Sequence, residues 1–475
     1  MPQLPRAPAP PIARPLGWLE RASLWAYGLG MRLARPLLRR KLARRAASEP
    51  GYAHAVQTRF GVYNTAVAAA VATPTGHLVW VHAVSLGEAR AAATLLPALR
   101  EALPGMRLLL THSTATGWTE GSRHLLPGDA QTWLPWDDPA AVQGFLHHFC
   151  PDVGVLVETE IWPCLVQGCQ RAGVPLALVN ARLNERSWRQ GQRLRWLSRP
   201  TYAGLSAVFA QTPRDAERLA SLGARVQGVW GNLKFDARPD AAQRNLGQRW
   251  RQRLARPVVL LASSREGEEA LFLKEIKALS LVYKEKSATD FGFSSIQWVL
   301  VPRHPQRFAA VAQLVEDAGW PCERRDQWAE RLARGGDDVP PVPASLWLGD
   351  SLGEMALYYS LADVALLGGS FEPLGGQNLI EAAACGCPVV MGPHTFNFAD
   401  AADQAEATGA ARRVADMAHG LRAALAWVAD PGQRQAAVAA AERFSASHQG
   451  AAVRTAAGVA ALLAHAQSDL EIHQN

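Results

Sequence analysis

The sequence predicts an α/β chain made of two doubly wound parallel sheets, and three observations carry that reading. Short apolar runs rich in Val, Leu and Ile recur along the chain, and most are followed by an Ala/Leu/Arg-rich stretch of helical length. Strand followed by helix in this rhythm is how a parallel sheet covered on both faces is written. The length, 475 residues, accommodates two or three domains at roughly 100–200 residues each. The strand runs also fall into two blocks, separated by a polar, Gln/Arg-rich gap at 237–256.

Taken in order, the first block holds strand runs at 77–82, 106–111, 130–136, 152–158, 174–180, 207–211 and 225–230. Helical stretches such as 89–103 and 213–222 lie between them. The second block holds runs at 257–262, 297–302, 345–348, 363–367 and 388–391. The expected organisation is an N-terminal amphipathic helix at 1–48, a Rossmann-like domain at 49–236, a linker at 237–256, a second Rossmann-like domain at 257–430, and C-terminal helices at 431–475 packing at the junction. Stretches 281–295 and 322–343 read as local insertions. Doubly wound sheets bind ligands at the carboxyl ends of their strands, so two of them would face a shared cleft.

Charge narrows the partners. Formal net charge is +7, but 21–48 alone carries eight basic and no acidic residues, leaving the rest within one charge of neutral. That distribution argues against a basic groove for nucleic acid and for an anionic membrane surface. Within 16–45, Leu, Trp and Tyr interleave with Arg and Lys, and the longest uncharged stretch, 22–31, is far too short to span a bilayer. Such a segment lies on the membrane, with Trp18, Trp25 and Tyr27 at the headgroups. A solvated helix packed on the main body is the alternative. The six cysteines show no C-x-x-C pairing and no secreted-scaffold density, which points to a reducing compartment without structural zinc.

Several strand ends carry polar constellations. Ser85-Leu86-Gly87-Glu88 follows the first run: Glu88 either favours the positive end of a helix or serves as a general base. Thr111 to Gly117 clusters hydroxyls that cap a helix or bind a polar ligand. Glu158-Thr159-Glu160 ends another strand, and Lys234 lies in Gly231-Asn232-Leu233-Lys234-Phe235-Asp236 at the domain end. Two acids at one strand end do not make a metal cage, so no metal and no cofactor is expected. In the second block Arg303 and His304 follow a strand and suit an anion. Gly349 to Glu354 and the glycine-rich run Gly368 to Glu381 come next. The latter opens a helix where free N–H groups favour a phosphate, while Asn378 and Glu381 equally read as a capping box.

The order of these motifs resembles the 3-deoxy-D-manno-octulosonic acid (Kdo) transferases, glycosyltransferases of the GT-B fold that build the inner core of lipopolysaccharide. The matching elements are Trp80 to Glu88, Glu158 to Pro163, Asn180 to Leu183, Gly231 to Asp236, Pro302 to Pro305, Gly349 to Glu354 and Gly375 to Glu381, spanning about 80 to 390. The resemblance implies Glu88 as catalytic base, and Glu158 and Lys234 as stabilisers of the transition state. It implies donor CMP contacts from Arg303, His304, Leu352, Gly353, Glu354, Asn378, Leu379, Ile380 and Glu381. It further implies a CMP-Kdo donor, a lipid A precursor (lipid IVA) as acceptor, inversion without a metal, and attachment to the cytoplasmic face of the inner membrane through 16–45. The sequence departs from the family at Gln377, where His usually precedes the Asn. A nucleotide-sugar epimerase shares the two-domain architecture and is the rival enzyme; a non-catalytic binding module, with Glu88 serving only its helix, is the third possibility.

Overall fold

The structure, a computed structural model, describes residues 16–63, 76–236, 239–285, 296–328 and 346–474. The chain divides into two units, 1–236 with 449–475, and 237–448.

The first unit opens with two helices, α1 (Trp18–Leu33) and α2 (Arg35–Ser48), where the sequence pattern suggests one. Pro36 has no N–H to continue the ladder of α1 and is accommodated in the first turn of α2 instead. α1 buries a narrow face, Ser23, Leu24 and Gly28, and Ser23 Oγ donates to the carbonyl of Trp196. Trp18, Trp25, Leu33 and Leu37 remain exposed. Tyr27 does not join them: it packs against the core and donates to Asp137. Arg32 and Arg35 pair with Asp138. Residues 1–15 lie outside the described part.

Seven strands form the first sheet: β1 (Leu78–His82), β2 (Arg107–His112), β3 (Ala130–Trp133), β4 (Val153–Val157), β5 (Leu176–Ala181), β6 (Ala207–Ala210) and β7 (Val226–Val229). All pair in parallel, in the order β3-β2-β1-β4-β5-β6-β7. Every residue of β1, β4 and β5 is buried. One face packs Trp80, Leu156 and Leu178 into an apolar cluster, and the other packs Val79, Val81, Val155 and Val179. The period of two within uniformly apolar runs divides them between both faces. The helices following in the chain are α3 (Leu86–Ala102), α4 (Ala115–Ser122), α5 (Pro139–Phe149), α6 (Pro163–Arg171), α7 (Glu185–Arg193), α8 (Arg195–Ala203) and α9 (Pro213–Ser221).

In the second unit, residues 239–256 are not a bare linker. They hold α10 (Ala241–Arg253), capped by Asp240, which buries Gly247 and Trp250. Its Gln/Arg-rich composition reflects an exposed outer face, while Arg251 bonds Asp363 at 3.0 Å. The second sheet comprises β8 (Val258–Ser264), β9 (Gln297–Pro302), β10 (Cys322–Arg324), β11 (Leu346–Leu348), β12 (Val364–Leu367), β13 (Val389–Met391) and β14 (Ala411–Arg413), in the order β10-β11-β9-β8-β12-β13-β14. It too is wholly parallel. Its helices are α11 (Glu268–Glu285), α12 (Phe308–Asp317), α13 (Met355–Leu361), α14 (Leu379–Ala384), α15 (Ala399–Ala407), α16 (Met417–Ala429) and α17 (Pro431–His448). Of the two expected insertions, 286–295 and 329–343 lie outside the described residues, and the start of the latter stretch is strand β10.

The final helix, α18 (Ala451–Gln474), returns to the first unit, where Ala451, Ala452, Ala456, Val459 and Leu463 join the cluster that buries α3. The C-terminal helices are thus divided, α17 in the second unit and α18 in the first. Strand order reverses beside β1 and β4 in one sheet and beside β8 and β12 in the other. Ligand sites of doubly wound sheets sit at the carboxyl ends beside such reversals.

Candidate active site

In the first unit the strands at the reversal end in Glu88 and Glu158. β1 runs through Ala83-Val84 into α3, whose N-cap is Ser85 and whose third residue is Glu88. Glu88 Oε2 accepts the Val84 N–H at 2.7 Å and Oε1 accepts the Ser85 hydroxyl at 3.2 Å. The carboxylate therefore ties the turn after β1 to the start of α3. Half-buried, it is pushed up to about 7, chiefly by burial and further by the negative charges of Glu160 and Glu158, while the Val84 N–H and Ser85 hydroxyl oppose the shift. A carboxyl balanced near neutrality is what a general base requires.

Glu158 follows β4 with a left-handed backbone, φ 67°, that turns its buried side chain at the sheet edge. Its carboxylate stands 3.6 Å from Lys234 Nζ and 3.9 Å from Arg182 Nε. Lys234 is held by its backbone: Asn180 Oδ1 accepts the Leu233 N–H at 3.0 Å, and Asn232 Oδ1 accepts that of Lys234 at 3.0 Å. The ammonium stays partly exposed. The structure thus brings Glu158 and Lys234 together, and Glu158 acts electrostatically on Glu88. Glu160 instead accepts from Trp162 Nε1 at 2.9 Å. Thr114 caps α4 by accepting the Gly117 N–H at 3.1 Å, so capping accounts for the hydroxyl cluster at that position.

In the second unit the reversal is built around a carboxylate of the Gly267-Glu268-Glu269 run, to which motif reading assigns no role. Glu268, fully buried, accepts the N–H groups of Arg265 at 2.9 Å and Gly369 at 2.7 Å on one oxygen and that of Phe371 at 3.0 Å on the other. It curls the glycine loop that leaves β12. Its neighbour Glu269 accepts from Ser264 Oγ at 2.7 Å and from Arg307 at 2.6 and 3.1 Å. Two adjacent acids after a strand and a glycine were the available signal. Gly369, Gly375 and Gly376 all have positive φ, the conformation that demands glycine there.

Arg303 Nε donates to Gln377 Oε1 at 3.2 Å, joining the loop after β9 to the run before α14. His304 lies below its ordinary value because of partial burial and the cationic Arg265, Arg303 and Arg307, against which Glu266 works. Cations beside a glycine loop have the chemistry to attract an anion. Other expected donor contacts are placed differently. Leu379 and Ile380 are buried in the core, which leaves only their backbone available. Asn378 Oδ1 caps α14 by accepting the Ile380 N–H at 3.1 Å, and Glu381 is half-buried one residue further on. Both Glu354 oxygens are held by Arg325, at 3.0 and 2.8 Å, with Ser351 Oγ donating at 2.5 Å. Gly353 gives its carbonyl to Gln243, and Leu352 is exposed. Among the described residues no group of three or more His, Cys, Asp or Glu side chains stands in metal-binding arrangement.

Two wholly parallel sheets, each with polar groups collected at the reversal of strand order, are the GT-B class of α/β enzyme. A solved structure of UDP-GlcNAc 2-epimerase from Neisseria meningitidis matches at a TM-score of 0.50 with 14% identity, over 82% of this chain and 100% of that one, a likeness of fold alone. Sequence goes further. A family model for 3-deoxy-D-manno-octulosonic-acid transferase (kdotransferase) matches residues 54–237. The 3-deoxy-D-manno-octulosonic acid transferase of Bordetella pertussis is 45% identical over 90% of this chain and 97% of its own length. That of Haemophilus influenzae is 29% identical over 77% and 81%. The chain belongs to the 3-deoxy-D-manno-octulosonic acid transferase family; it is a glycosyltransferase of Kdo, not an epimerase.

Proposed function

We propose that the chain moves Kdo from CMP-Kdo to a hydroxyl of a lipid A precursor, lipid IVA, with inversion, and that Glu88 is the base. The observation that carries this is a half-buried carboxylate, balanced near pH 7, at the carboxyl end of β1 beside the reversal of strand order. Glu88 takes the hydroxyl proton, the acceptor oxygen bonds the anomeric carbon, and the bond from that carbon to the phosphate oxygen breaks. CMP leaves with the electron pair. Lys234, anchored by Glu158, offers its ammonium to charge developing in the transition state. Arg303, His304 and the backbone N–H groups of the glycine loop hold the donor phosphate. Leu352, Gly353 and Glu354 belong to this donor region, Glu354 as a support held by Arg325, and Asn378 to Glu381 contribute chiefly through the backbone.

The acceptor reading also draws on the N-terminal helices. Exposed Trp18, Trp25, Leu33 and Leu37 beside Arg21, Arg39, Arg40, Lys41 and Arg44 suit an anionic lipid surface such as the cytoplasmic face of the inner membrane. No described helix is long and apolar enough to cross a membrane. The test is to incubate the protein with CMP-Kdo and lipid IVA and weigh the lipid. A gain of one or more Kdo units is expected; an unchanged lipid contradicts the proposal.

His304 supplies a further prediction. Its pKa is lowered in the free protein, so a bound phosphate raises it and binding takes up a proton. CMP affinity should therefore strengthen as pH falls from about 8 to 6. Calorimetry in buffers of different ionisation enthalpy measures the uptake. His304→Gln should remove part of it, the difference between the two proteins cancelling CMP's own titration; equal uptake by both proteins would refute the role.

A further inference from the structure

The turn that presents Glu88 is clamped from the neighbouring strand. The Ala83 carbonyl accepts from His112 Nδ1 at 2.7 Å, and the N–H of that same peptide unit, on Val84, donates to Glu88 Oε2 at 2.7 Å. The Ala83 N–H donates to the Thr111 carbonyl at 3.0 Å. The Val84 carbonyl accepts from Thr114 Oγ1 at 2.7 Å and from the Thr114 N–H at 3.2 Å. A carbonyl can only accept, so Nδ1 carries the proton. Burial drives the His112 pKa down to about 4, which keeps the ring neutral through the working range. Two glycines of α4 are explained by the close approach of that helix to the turn and to His112. A Cβ on Gly117 would stand 2.6 Å from the Val84 carbonyl oxygen, and one on Gly121 would collide with the His112 ring.

We propose that His112 is a positioning residue for Glu88, acting through one peptide unit: it fixes the carbonyl of Ala83 and thereby aims and strengthens the Val84 N–H held against the carboxylate. A donor to a peptide carbonyl polarises the amide and makes its N–H a better donor. Because that N–H favours the charged carboxylate, losing His112 moves the Glu88 titration upward. The other charged groups around α3 keep their partners in such a change: Glu158 and Glu160 after β4, Lys234 paired with Glu158, Glu120 of α4 paired with Arg90, Arg123 and His124, Arg100 of α3 paired with Asp129, and Asp236, which accepts from Gly450 and Ala452. Nearest His112 lie His82 of β1, held neutral by burial, and Arg59, which donates to the Ser113 carbonyl. α18 adds Ala451, Ala452, Ala456, Val459 and Leu463 to the cluster there.

The inference rests on Glu88 being the base, and the experiment separates the two. Transfer from CMP-Kdo to lipid IVA is measured as kcat/KM from pH 5.5 to 9 in the wild type, His112→Leu, His112→Asn and Glu88→Gln. In His112→Leu the acid limb should move up by about one pH unit, a loss of about tenfold at pH 6 that shrinks toward pH 9. Asn places an N–H donor at the reach of Nδ1, so His112→Asn should recover most of the loss. A slowing by His112→Leu that is uniform across pH, or no recovery in His112→Asn, overturns the proposal. If Glu88→Gln keeps the wild-type limb, the base reading itself has failed. Should His112→Leu not fold, selective 15N-histidine labelling of the wild type decides. A neutral Nδ1–H tautomer that does not titrate between pH 5.5 and 9 is expected, and an Nε2–H tautomer overturns the inference.

Discussion

Glu88→Gln should lower turnover by about 10²–10⁴-fold while CMP still binds. Gln is nearly isosteric, and its carbonyl can still accept the Val84 N–H that Glu88 holds at 2.7 Å. The turn between β1 and α3 is therefore retained, and what disappears is the ability to take a proton. The factor corresponds to about 3–5 kcal/mol of transition-state stabilisation, far more than the ~1 kcal/mol a helix-end carboxylate contributes to folding. Single-turnover transfer together with a CMP titration checks both halves. A near-normal rate would reduce Glu88 to a helix-capping residue.

Lys234→Met comes second, with an expected loss of about 10²–10³-fold in kcat and little change in donor KM. The backbone around Lys234 is held independently of its ammonium by Asn180 and Asn232, so the substitution leaves the local fold in place. It does strand Glu158, whose carboxylate stands 3.6 Å from Nζ, with Arg182 at 3.9 Å as its other ion-pair partner among the described residues. An interaction made mainly in the transition state lowers kcat and kcat/KM equally. A loss confined to KM would instead mark Lys234 as a ground-state binding residue. Steady-state kinetics with the donor varied makes the distinction.

The parallel sheets were legible because buried parallel strands are written as continuous apolar runs, as in Leu78–His82 and Val153–Val157. The place of Glu88 at a helix start was legible for a similar reason, since an apolar run leading into a glycine and a carboxylate marks a strand-to-helix turn; its role as base came from the family resemblance, not from the spacing. Features set by tertiary contact were not. The stretch at 237–256 looks like a linker because polar residues cover the exposed side of α10, while Gly247, Trp250 and Leu254 are buried and Arg251 bonds Asp363. Tyr27 shares its local pattern with Trp25 yet turns inward to Asp137, a partner more than a hundred residues away in the chain. That Arg325 holds both oxygens of Glu354 is likewise set by the fold, since neither residue type nor spacing announces the pair. Motif reading reaches the stretches that hold Glu268 and His112 but not what these side chains do, because each bonds backbone groups brought near only by the fold.

The most direct measurement is the pH dependence of kcat/KM for Kdo transfer in the wild type and in Glu88→Gln. Glu88 titrates at about 7, so activity should fall below that pH, approaching tenfold per unit, and that limb should be missing from the residual activity of Glu88→Gln. A wild-type profile flat from pH 5.5 to 9, or an identical acid limb in both proteins, would contradict Glu88 as the base.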